Sequence, residues 1–250
     1  MFTKALLRKP GKNFADGITT SDLGKPDFRK ALEQHKAYCD SLTDCGLELI
    51  IMDADEQFPD GCFVEDTAVV LEEAAIITRP GAASRIGEET SISRILSKYK
   101  KIEKITSPGT VDGGDILRAE NHFYIGRSER TNSAGATQLA EILKKYGFTS
   151  SEIMVESVPH LKSGATYIGR GTFLSIDEFL NEFPGSNVIR IDKNEAYASN
   201  SLLVNDHLLI SRGFSGSRRR IPETGQKIIE LEMSEFRKMD GALTCLSLLF

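Results

Sequence analysis

The sequence predicts an α/β fold made of five strand-strand-helix-strand units that pack around a common centre. Three observations support this prediction. Short apolar strands, polar turns and an amphipathic helix recur in the same order along the chain. The recurrence has a spacing of 40 to 48 residues, which is typical of repeated units that pack side by side. Finally, 40% of the 250 residues are hydrophobic and 27% are charged, as in ordinary globular proteins.

Each unit opens with a polar residue and a short apolar strand, which turns back into a second strand. A loop rich in glycine, serine and arginine then leads to a helix and a closing strand. The segment "GATQLAEILKKYG" is the clearest helix, because its apolar residues fall on one face and Gly147 follows as a stop signal. In chain order, four units contain "EDTAVV", "DGGDIL", "HLKSGATY" and "NSLLV" at their starts, and the fifth is split between "CLSLLF" and "FTKALLRKP". No linker divides the chain, so residues 1–250 are predicted to form a single catalytic domain.

The polar residue that opens each unit is the most informative feature of the repeat. If equivalent strands line one axis, these residues converge at one level of the molecule. A chance alignment of unrelated residues is the alternative interpretation. In chain order the opening residues are Asp66, Asp112, His160, Asn200 and Cys245.

The composition argues against nucleic acid and membranes as partners. The formal net charge is -5, whereas proteins that bind nucleic acid or anionic lipid carry an excess of basic residues. The run Arg218–Arg220 is the one basic cluster in the sequence. We interpret it as a solvated loop, with a local anion contact as the alternative. No apolar stretch approaches the roughly 18 residues of a membrane span.

The four cysteines show no zinc-binding pattern. They form no CxxC pair, and no histidine lies at the spacing of a metal site, so we expect neither a metal nor a cofactor. The first residues lack the cleavage pattern of a secretory signal. We therefore expect a cytoplasmic, reducing location with free thiols. The cysteines are Cys39, Cys45, Cys62 and Cys245.

A cysteine, a histidine and an aspartate among the opening residues indicate covalent catalysis. A thiolate attacks an electrophilic carbon, a histidine moves protons, and a carboxylate orients the histidine ring. Cys245, His160 and Asp112 fit these roles. Taken singly, each has a structural alternative: a cysteine that fills the core, a histidine at a strand end and an aspartate in a turn. Asp115, in the same "VDGGDIL" segment, is also compatible with a turn.

Two further groups of charged residues indicate a substrate with a cationic and an anionic end. Carboxylates at the start of a buried strand need a partner, and a guanidinium offers paired N–H donors. Arginines after the second strands suit a carboxylate ligand, although solvated loops are the alternative for both groups. An arginine derivative would satisfy both groups. The acids are Asp60, Glu65 and Asp66, and the arginines are Arg79, Arg85, Arg127 and Arg130.

Seven segments together resemble the guanidine-modifying enzymes, and within that superfamily the dimethylarginine dimethylaminohydrolases. The resemblance spans the whole chain, and the segments occur in the family order. It implies a five-bladed α/β propeller with pseudo-five-fold symmetry of the strand-strand-helix-strand repeats. The segments are "DGITTSDLGKPDFRKALEQH", "QFPDGCFVED", "IITRPGAASR", "PGTVDGGDIL", "HFYIGRSERTN", "HLKSG" and "DGALTCLSLLF".

The resemblance implies hydrolysis of Nω-methylated L-arginine to L-citrulline and methylamine or dimethylamine. Cys245 would attack the guanidinium carbon to give a covalent thiouronium. His160 would protonate the departing amine and then activate water, and Asp112 would pair with the histidine. A small-molecule substrate is then the expected partner, and a homodimer stays open as an assembly.

The resemblance also implies eight substrate-binding residues. Asp66 would hold guanidinium nitrogens, and Arg85 and Arg130 would bind the substrate carboxylate. The main chain of Met239 and the side chain of Asp240 would face the amino end of the substrate. The remaining three are Asp60 and Glu65, at other substrate-binding positions, and Ile18, in a lid loop.

Two alternative functions stay open at this stage. Arginine deiminases carry an aspartate two residues after the catalytic histidine, where this chain has Lys162. Fewer acids around the terminal nitrogen leave room for methyl groups, which favours a methylarginine substrate over arginine or citrulline. A non-catalytic binder of an arginine-like ligand would be expected to lack Cys245 or His160, and both are present.

Overall fold

The computed structural model describes residues 1–221 and 226–250, and it confirms the predicted propeller. The described residues form five three-stranded sheets. In each sheet the first two strands of a unit pair antiparallel, and the third pairs parallel with the second. The strands are β1 Lys4–Arg8, β2 Glu48–Met52, β3 Ala68–Val70, β4 Ala74–Ile77, β5 Lys101–Lys104, β6 Ile116–Ala119, β7 His122–Arg127, β8 Thr149–Met154, β9 Ala165–Tyr167, β10 Thr172–Ser175, β11 Asn187–Arg190, β12 Leu202–Val204, β13 His207–Ser211, β14 Lys227–Leu231 and β15 Leu248–Leu249.

Helices connect the second and third strands in four of the five units. The clearest predicted helix is confirmed as α3, and the side chain of Asn132 caps it by accepting a hydrogen bond from the Gly135 N–H. The third unit has only a 3-10 turn, Asp177–Phe179, in this place. Pro184 and Gly185 interrupt its short connection and disfavour a longer helix. The helices are α1 Phe28–Asp44, α2 Glu88–Leu96, α3 Ser133–Lys145, α4 Leu161–Gly164, α5 Ser215–Arg220 and α6 Ser234–Arg237.

The core of the described residues consists of five apolar clusters, one between each pair of neighbouring units. Successive side chains of a strand point to opposite faces of its sheet, so one central strand supplies two clusters. In β1, for example, Leu6 packs towards the first unit and Leu7 towards the fourth, and both are fully buried. The units are therefore held together by the faces of their sheets.

The fifth unit closes the ring by joining the two ends of the chain, as predicted. β15 pairs antiparallel with β1, with Leu6 opposite Leu248, and β1 pairs parallel with β2. The buried hydroxyl of Tyr38 in α1 donates to the Leu243 carbonyl at 2.9 Å and lies 2.8 Å from Ser247 Oγ. This hydroxyl connects the N-terminal helix to the segment that carries Cys245.

The first strands of all five units line one cavity along the axis, with a volume of about 370 Å³. The prediction that the opening residues begin these strands was slightly wrong. They lie in or next to short helical turns that precede the strands. The chain bends sharply in these turns before it continues into the strand that lines the axial cavity. The turns are Val64–Thr67, Gly113–Asp115, α4, Lys193–Ser199 and Thr244–Leu246.

No helix among residues 1–221 and 226–250 is long and apolar enough to cross a membrane.

Replacing Tyr38 with phenylalanine is expected to lower the free energy of unfolding by about 1–2 kcal/mol. The change leaves the buried Leu243 carbonyl and Ser247 hydroxyl without this partner. Urea unfolding followed by circular dichroism measures the effect. Tyr99→Phe is the matched control, because Tyr99 is 45% exposed and its substitution should change stability little. Equal effects of the two substitutions would contradict the proposed connection.

Candidate active site

A small cavity beside the axis brings together all but one of the eleven catalytic and substrate-binding residues that the family resemblance implied. Its walls come from the turns before the first strands, from the segment after α6 and from the loop that follows Phe14–Asp16. The predicted residues that line it are Ile18, Asp60, Asp66, Arg85, Asp112, Arg130, His160, Met239, Asp240 and Cys245.

Cys245 lies in the last helical turn of the chain and presents its sulfur to this cavity. The Ala242 N–H approaches Sγ at 3.4 Å. The turn is held by Asn200, whose side chain accepts from the Thr244 N–H at 3.1 Å and donates to Thr244 Oγ1 at 3.0 Å. Burial raises the pKa of the Cys245 thiol well above its ordinary value, and the carboxylates of Glu65 and Asp66 raise it further. The resting sulfur is therefore a thiol at neutral pH.

His160 and Asp112 form a hydrogen-bonded pair in the same cavity. Nε2 of His160 lies 3.1 Å from Oδ2 of Asp112, and the other Asp112 oxygen accepts the Gly81 N–H at 2.8 Å. Burial by itself lowers the pKa of His160, but the neighbouring carboxylates of Asp66 and Asp112 raise it to about 9. The imidazole is therefore protonated at neutral pH and can act as a general acid.

Asp66 lies beside His160 and has its own partners. Its Oδ1 accepts the Gly114 N–H at 2.8 Å, and its Oδ2 accepts Nη1 of Arg85 at 2.5 Å. Burial opposes its ionisation, but the charges of His160 and Arg85 lower the pKa of Asp66 to about 2. This carboxylate is therefore ionised at neutral pH and can bind a cation.

Glu88 is a buried partner of Arg85 that the sequence analysis did not identify. It accepts hydrogen bonds from Nε of Arg85 at 3.1 and 3.2 Å and from Nη2 at 2.8 Å. The Phe63 carbonyl accepts a further bond from Nη2. Most of the Arg85 donors are thus used inside the protein, and the arginine holds Asp66 in place. No sequence motif marked Glu88, although its position three residues after Arg85 was a usable signal.

Asp115 supports the histidine–aspartate pair through its neighbours in the chain, in addition to forming part of the predicted turn. It is fully buried and accepts the hydroxyls of Ser128 and Thr131, each at 2.6 Å, and the Leu161 N–H at 3.0 Å. The Thr131 hydroxyl also accepts the Asp112 N–H at 3.1 Å. The Asp115 carboxylate therefore fixes the backbone next to both members of the pair, at Asp112 through Thr131 and at His160 through the Leu161 N–H.

Gly114 shows why the "DGGD" segment needs a glycine at this point. A Cβ atom built there would lie 2.8 Å from the His160 ring and 2.9 Å from Asp66 Oδ1. The absence of a side chain lets the backbone N–H approach Asp66 while the imidazole packs against the same backbone.

Glu65 is the predicted site residue that the structure does not bring into this cavity. Its carboxylate contacts Nζ of Lys162 and accepts the Thr244 hydroxyl at 2.7 Å. These three residues line the axial cavity instead. Adjacent residues of a tight turn point in different directions, so Asp66 faces the catalytic cavity and Glu65 faces the axis. Burial raises the pKa of Glu65, and the charge of Lys162 opposes this shift.

Asn200 is a second departure from the expected convergence. It does not line the catalytic cavity but donates to the Lys162 carbonyl at 2.9 Å and supports the turn of Cys245. Among the predicted arginines, Arg85 and Arg130 line the cavity. Arg127 instead pairs with Glu152, and Arg79 bonds to the Gly109 carbonyl.

Residues 17–25, which we name the lid, follow the turn Phe14–Asp16 and border the cavity. Ile18 and Thr20 from this segment line the cavity wall. The Ile18 N–H donates to both oxygens of Asp60, at 3.0 and 3.2 Å. On the other side, the Thr20 N–H donates to Oδ2 of Asp240 at 2.5 Å. Thr20 was not identified from the sequence.

Three donor side chains of the site are close enough to surround a metal ion. The oxygens of Asp66 and Asp112 and a ring nitrogen of His160 lie within 4.8 Å of one another. Each carboxylate already has a cationic partner, Arg85 for Asp66 and His160 for Asp112. A protonated imidazole cannot ligate a metal. The arrangement is therefore better suited to holding an organic cation than a metal at neutral pH.

Comparison with known proteins gives a consistent result. A family model described as N,N dimethylarginine dimethylhydrolase, eukaryotic, matches residues 24–169. The chain is 43% identical to the N(G),N(G)-dimethylarginine dimethylaminohydrolase of Pseudomonas aeruginosa, over 100% of both chains. It is 33% identical to the protein of the same name from Streptomyces coelicolor, over 98% of this chain and 95% of the other.

Solved structures agree with these matches. The Pseudomonas aeruginosa protein, as a mutant complexed with citrulline, superposes with a TM-score of 0.98 at 42% identity and full coverage of both chains. The N-terminal domain of the cyanobacterial arginine dihydrolase ArgZ superposes with a TM-score of 0.87, covering 98% of this chain and 97% of that domain. At 19% identity, that second likeness shows a common fold alone. The chain therefore belongs to the dimethylarginine dimethylaminohydrolase family.

Proposed function

We propose that this protein hydrolyses Nω-methylated L-arginine to L-citrulline and methylamine or dimethylamine. The observation that carries the proposal is the presence of Cys245, the His160–Asp112 pair and the ionised Asp66 in one cavity. These groups supply a nucleophile, an acid with its orienting carboxylate, and a binding site for a guanidinium. The membership in the family and the full-length likeness to the Pseudomonas aeruginosa enzyme support the same reaction.

The first half of the reaction begins when the substrate cation binds beside Asp66. The positive guanidinium stabilises the Cys245 thiolate, and the thiol proton leaves to solvent. The thiolate then attacks the guanidinium carbon and forms a carbon–sulfur bond. His160 donates its proton to the methylated nitrogen, the carbon–nitrogen bond breaks, and the amine departs. The product of this half is a thiouronium on Cys245 and a neutral His160.

The second half uses the same histidine as a base. Neutral His160 takes a proton from a water molecule, which attacks the thiouronium carbon. The carbon–sulfur bond then breaks and the sulfur leaves as thiolate. The remaining hydroxyl proton passes to this thiolate, which restores the resting thiol and releases neutral citrulline. His160 is protonated again at the end of the cycle. Asp112 stabilises this cationic form through its hydrogen bond at 3.1 Å.

The remaining cavity residues are proposed to bind the amino-acid part of the substrate. Arg130 and the one Nη1 donor of Arg85 that is left after its internal bonds are suited to a carboxylate. Asp60 and the Met239 carbonyl are suited to an ammonium group. Lys162 points its ammonium group to Glu65 rather than into the catalytic cavity, so the methylated nitrogen meets no second acid at this position.

Replacing Cys245 with serine is expected to lower turnover of dimethylarginine by at least about 10⁴-fold, because the hydroxyl is a far weaker nucleophile. The wild-type protein should be assayed for citrulline formation from dimethylarginine, monomethylarginine and arginine. A separate assay should measure whether it consumes citrulline as a substrate. We expect turnover of the two methylated substrates only. Cys39→Ala, outside the cavity, is the control and should keep activity. Turnover of arginine without the methylated forms would contradict the proposal.

Replacing Asp112 with asparagine is expected to change the pH profile of kcat/KM. The pKa of His160 is raised to about 9, so wild-type activity should fall as the pH rises through about 9 and the acid is lost. Without the carboxylate, the imidazole loses its proton more easily, and this fall should move to lower pH by about one unit. Glu33→Gln, an exposed change on α1, should leave the profile unchanged. An unmoved basic limb in the Asp112 variant would exclude this role.

A further inference from the structure

The lid must move before a substrate of amino-acid size can enter the cavity. The cavity has a volume of about 70 Å³, well below the roughly 300–1,000 Å³ of small-molecule pockets. The lid has no helix or strand, and its side chains Ile18 and Leu23 are 37% and 47% exposed. Its position is therefore determined by a few polar contacts rather than by burial in the core.

Three of these contacts converge on one oxygen, Oδ2 of Asp240. The Thr20 N–H donates to it at 2.5 Å, the Thr20 hydroxyl at 2.9 Å and the Thr19 hydroxyl at 3.3 Å. Thr19 also donates to the Lys238 carbonyl at 2.9 Å. Hydrogen bonds to an ionised carboxylate are stronger than bonds between neutral groups. Asp240 is therefore the main anchor of this side of the lid.

The backbone around Asp240 is fixed independently of the lid. Its φ angle is 55°, a left-handed conformation that aspartate and asparagine tolerate better than most residues. Its N–H bonds to the Arg237 carbonyl at 3.2 Å, and the next N–H, of Gly241, bonds to the Phe236 carbonyl at 3.0 Å. Phe236 is fully buried. The anchor thus belongs to the rigid frame, and the lid is the part that moves.

We propose that Asp240 is a positioning residue that acts on the substrate through the lid, by holding Thr20 and Thr19 in the closed position. This assignment differs from a direct contact with the amino group of the substrate, which the sequence predicts. It rests on the proposed function for its substrate, methylated arginine. Loss of the anchor lowers the population of the closed lid, and the apparent affinity falls by the same factor.

The test compares Asp240→Asn with Thr20→Val, which removes a hydroxyl without changing charge. Each variant is assayed with dimethylarginine and with the analogue that lacks the α-amino group. Ser21→Ala is the matched control, because the Ser21 hydroxyl accepts the Leu23 N–H within the lid. Circular dichroism melts verify that all variants are folded.

We expect Asp240→Asn to raise KM for dimethylarginine about tenfold, the effect of one hydrogen bond to a charged group. KM for the analogue should rise by the same factor. Thr20→Val should raise both values several-fold, the double variant should be no worse than Asp240→Asn, and Ser21→Ala should have no effect. The proposal is overturned if the penalty of Asp240→Asn vanishes with the analogue while Thr20→Val leaves KM unchanged. Asp240 would then contact the amino group directly.

A second measurement needs no turnover and separates this proposal from the proposed function. The chain contains no tryptophan, so Leu23→Trp places a single reporter in the lid. Acrylamide quenching of Trp fluorescence should increase about twofold when Asp240→Asn or Thr20→Val is added, because the lid opens more often. Unchanged quenching would overturn the anchor role. Absence of wild-type turnover with increased quenching would contradict the proposed function alone.

Discussion

The candidate active site depends on one constraint: each buried carboxylate must have a cation or several hydrogen-bond donors as partners. Asp66, Asp112 and Asp115 are almost completely removed from water, and an ionised carboxylate in that position needs positive charge or several donors. Arg85 supplies charge to Asp66, and His160 supplies it to Asp112. Asp115 is stabilised by two hydroxyls and a backbone N–H. The side chains that touch the reacting groups are thereby fixed before a substrate arrives.

This charge arrangement keeps His160 and Cys245, the proposed acid and nucleophile, in complementary resting states: both hold a proton at neutral pH. Asp66, one of the carboxylates that favour the protonated form of His160, also opposes ionisation of Cys245, in addition to burial and the charge of Glu65. In the proposed reaction the acid is therefore already protonated before the substrate binds, whereas the thiol ionises only when a cation binds beside it. A guanidinium satisfies this condition, whereas a neutral ureido compound brings no such charge. Under the proposed function, selectivity for a cationic substrate would thus follow from electrostatics, in addition to the shape of the cavity.

Much of this arrangement could be predicted from the sequence, because repetition carries positional information. The recurring strands indicated that Asp66, Asp112, His160 and Cys245 occupy equivalent positions of the repeat, and the motif order indicated the family. The direction of each side chain was harder to predict. Glu65 and Asp66 are neighbours of the same chemical type, yet a tight turn sends one to the axis and the other to the cavity. Periodicity cannot distinguish them when the strand itself begins two residues later.

Hydrogen bonds between residues far apart in the chain could not be predicted from the sequence either. Thr131 connects Asp112 and Asp115, and Thr20 reaches Asp240 across 220 positions. Hydroxyl residues are common on surfaces, so nothing in their local context indicates such contacts. The missing helix of the third unit has a local cause, in contrast. Pro184 and Gly185 stand in its connection, and the buried Phe179 and Phe183 fill the space beside the sheet.

The closed arrangement of the five apolar clusters has a consequence for how the molecule loses its structure. A linear array of repeats can fray from a terminal unit, which has a neighbour on one side only. Here the pairing of β15 with β1 gives the fifth unit two neighbours, like the others. Unfolding of any single unit would expose the apolar sheet faces of its two neighbouring units. Unfolding should therefore be strongly cooperative, without a stable partly melted intermediate that retains the nucleophile.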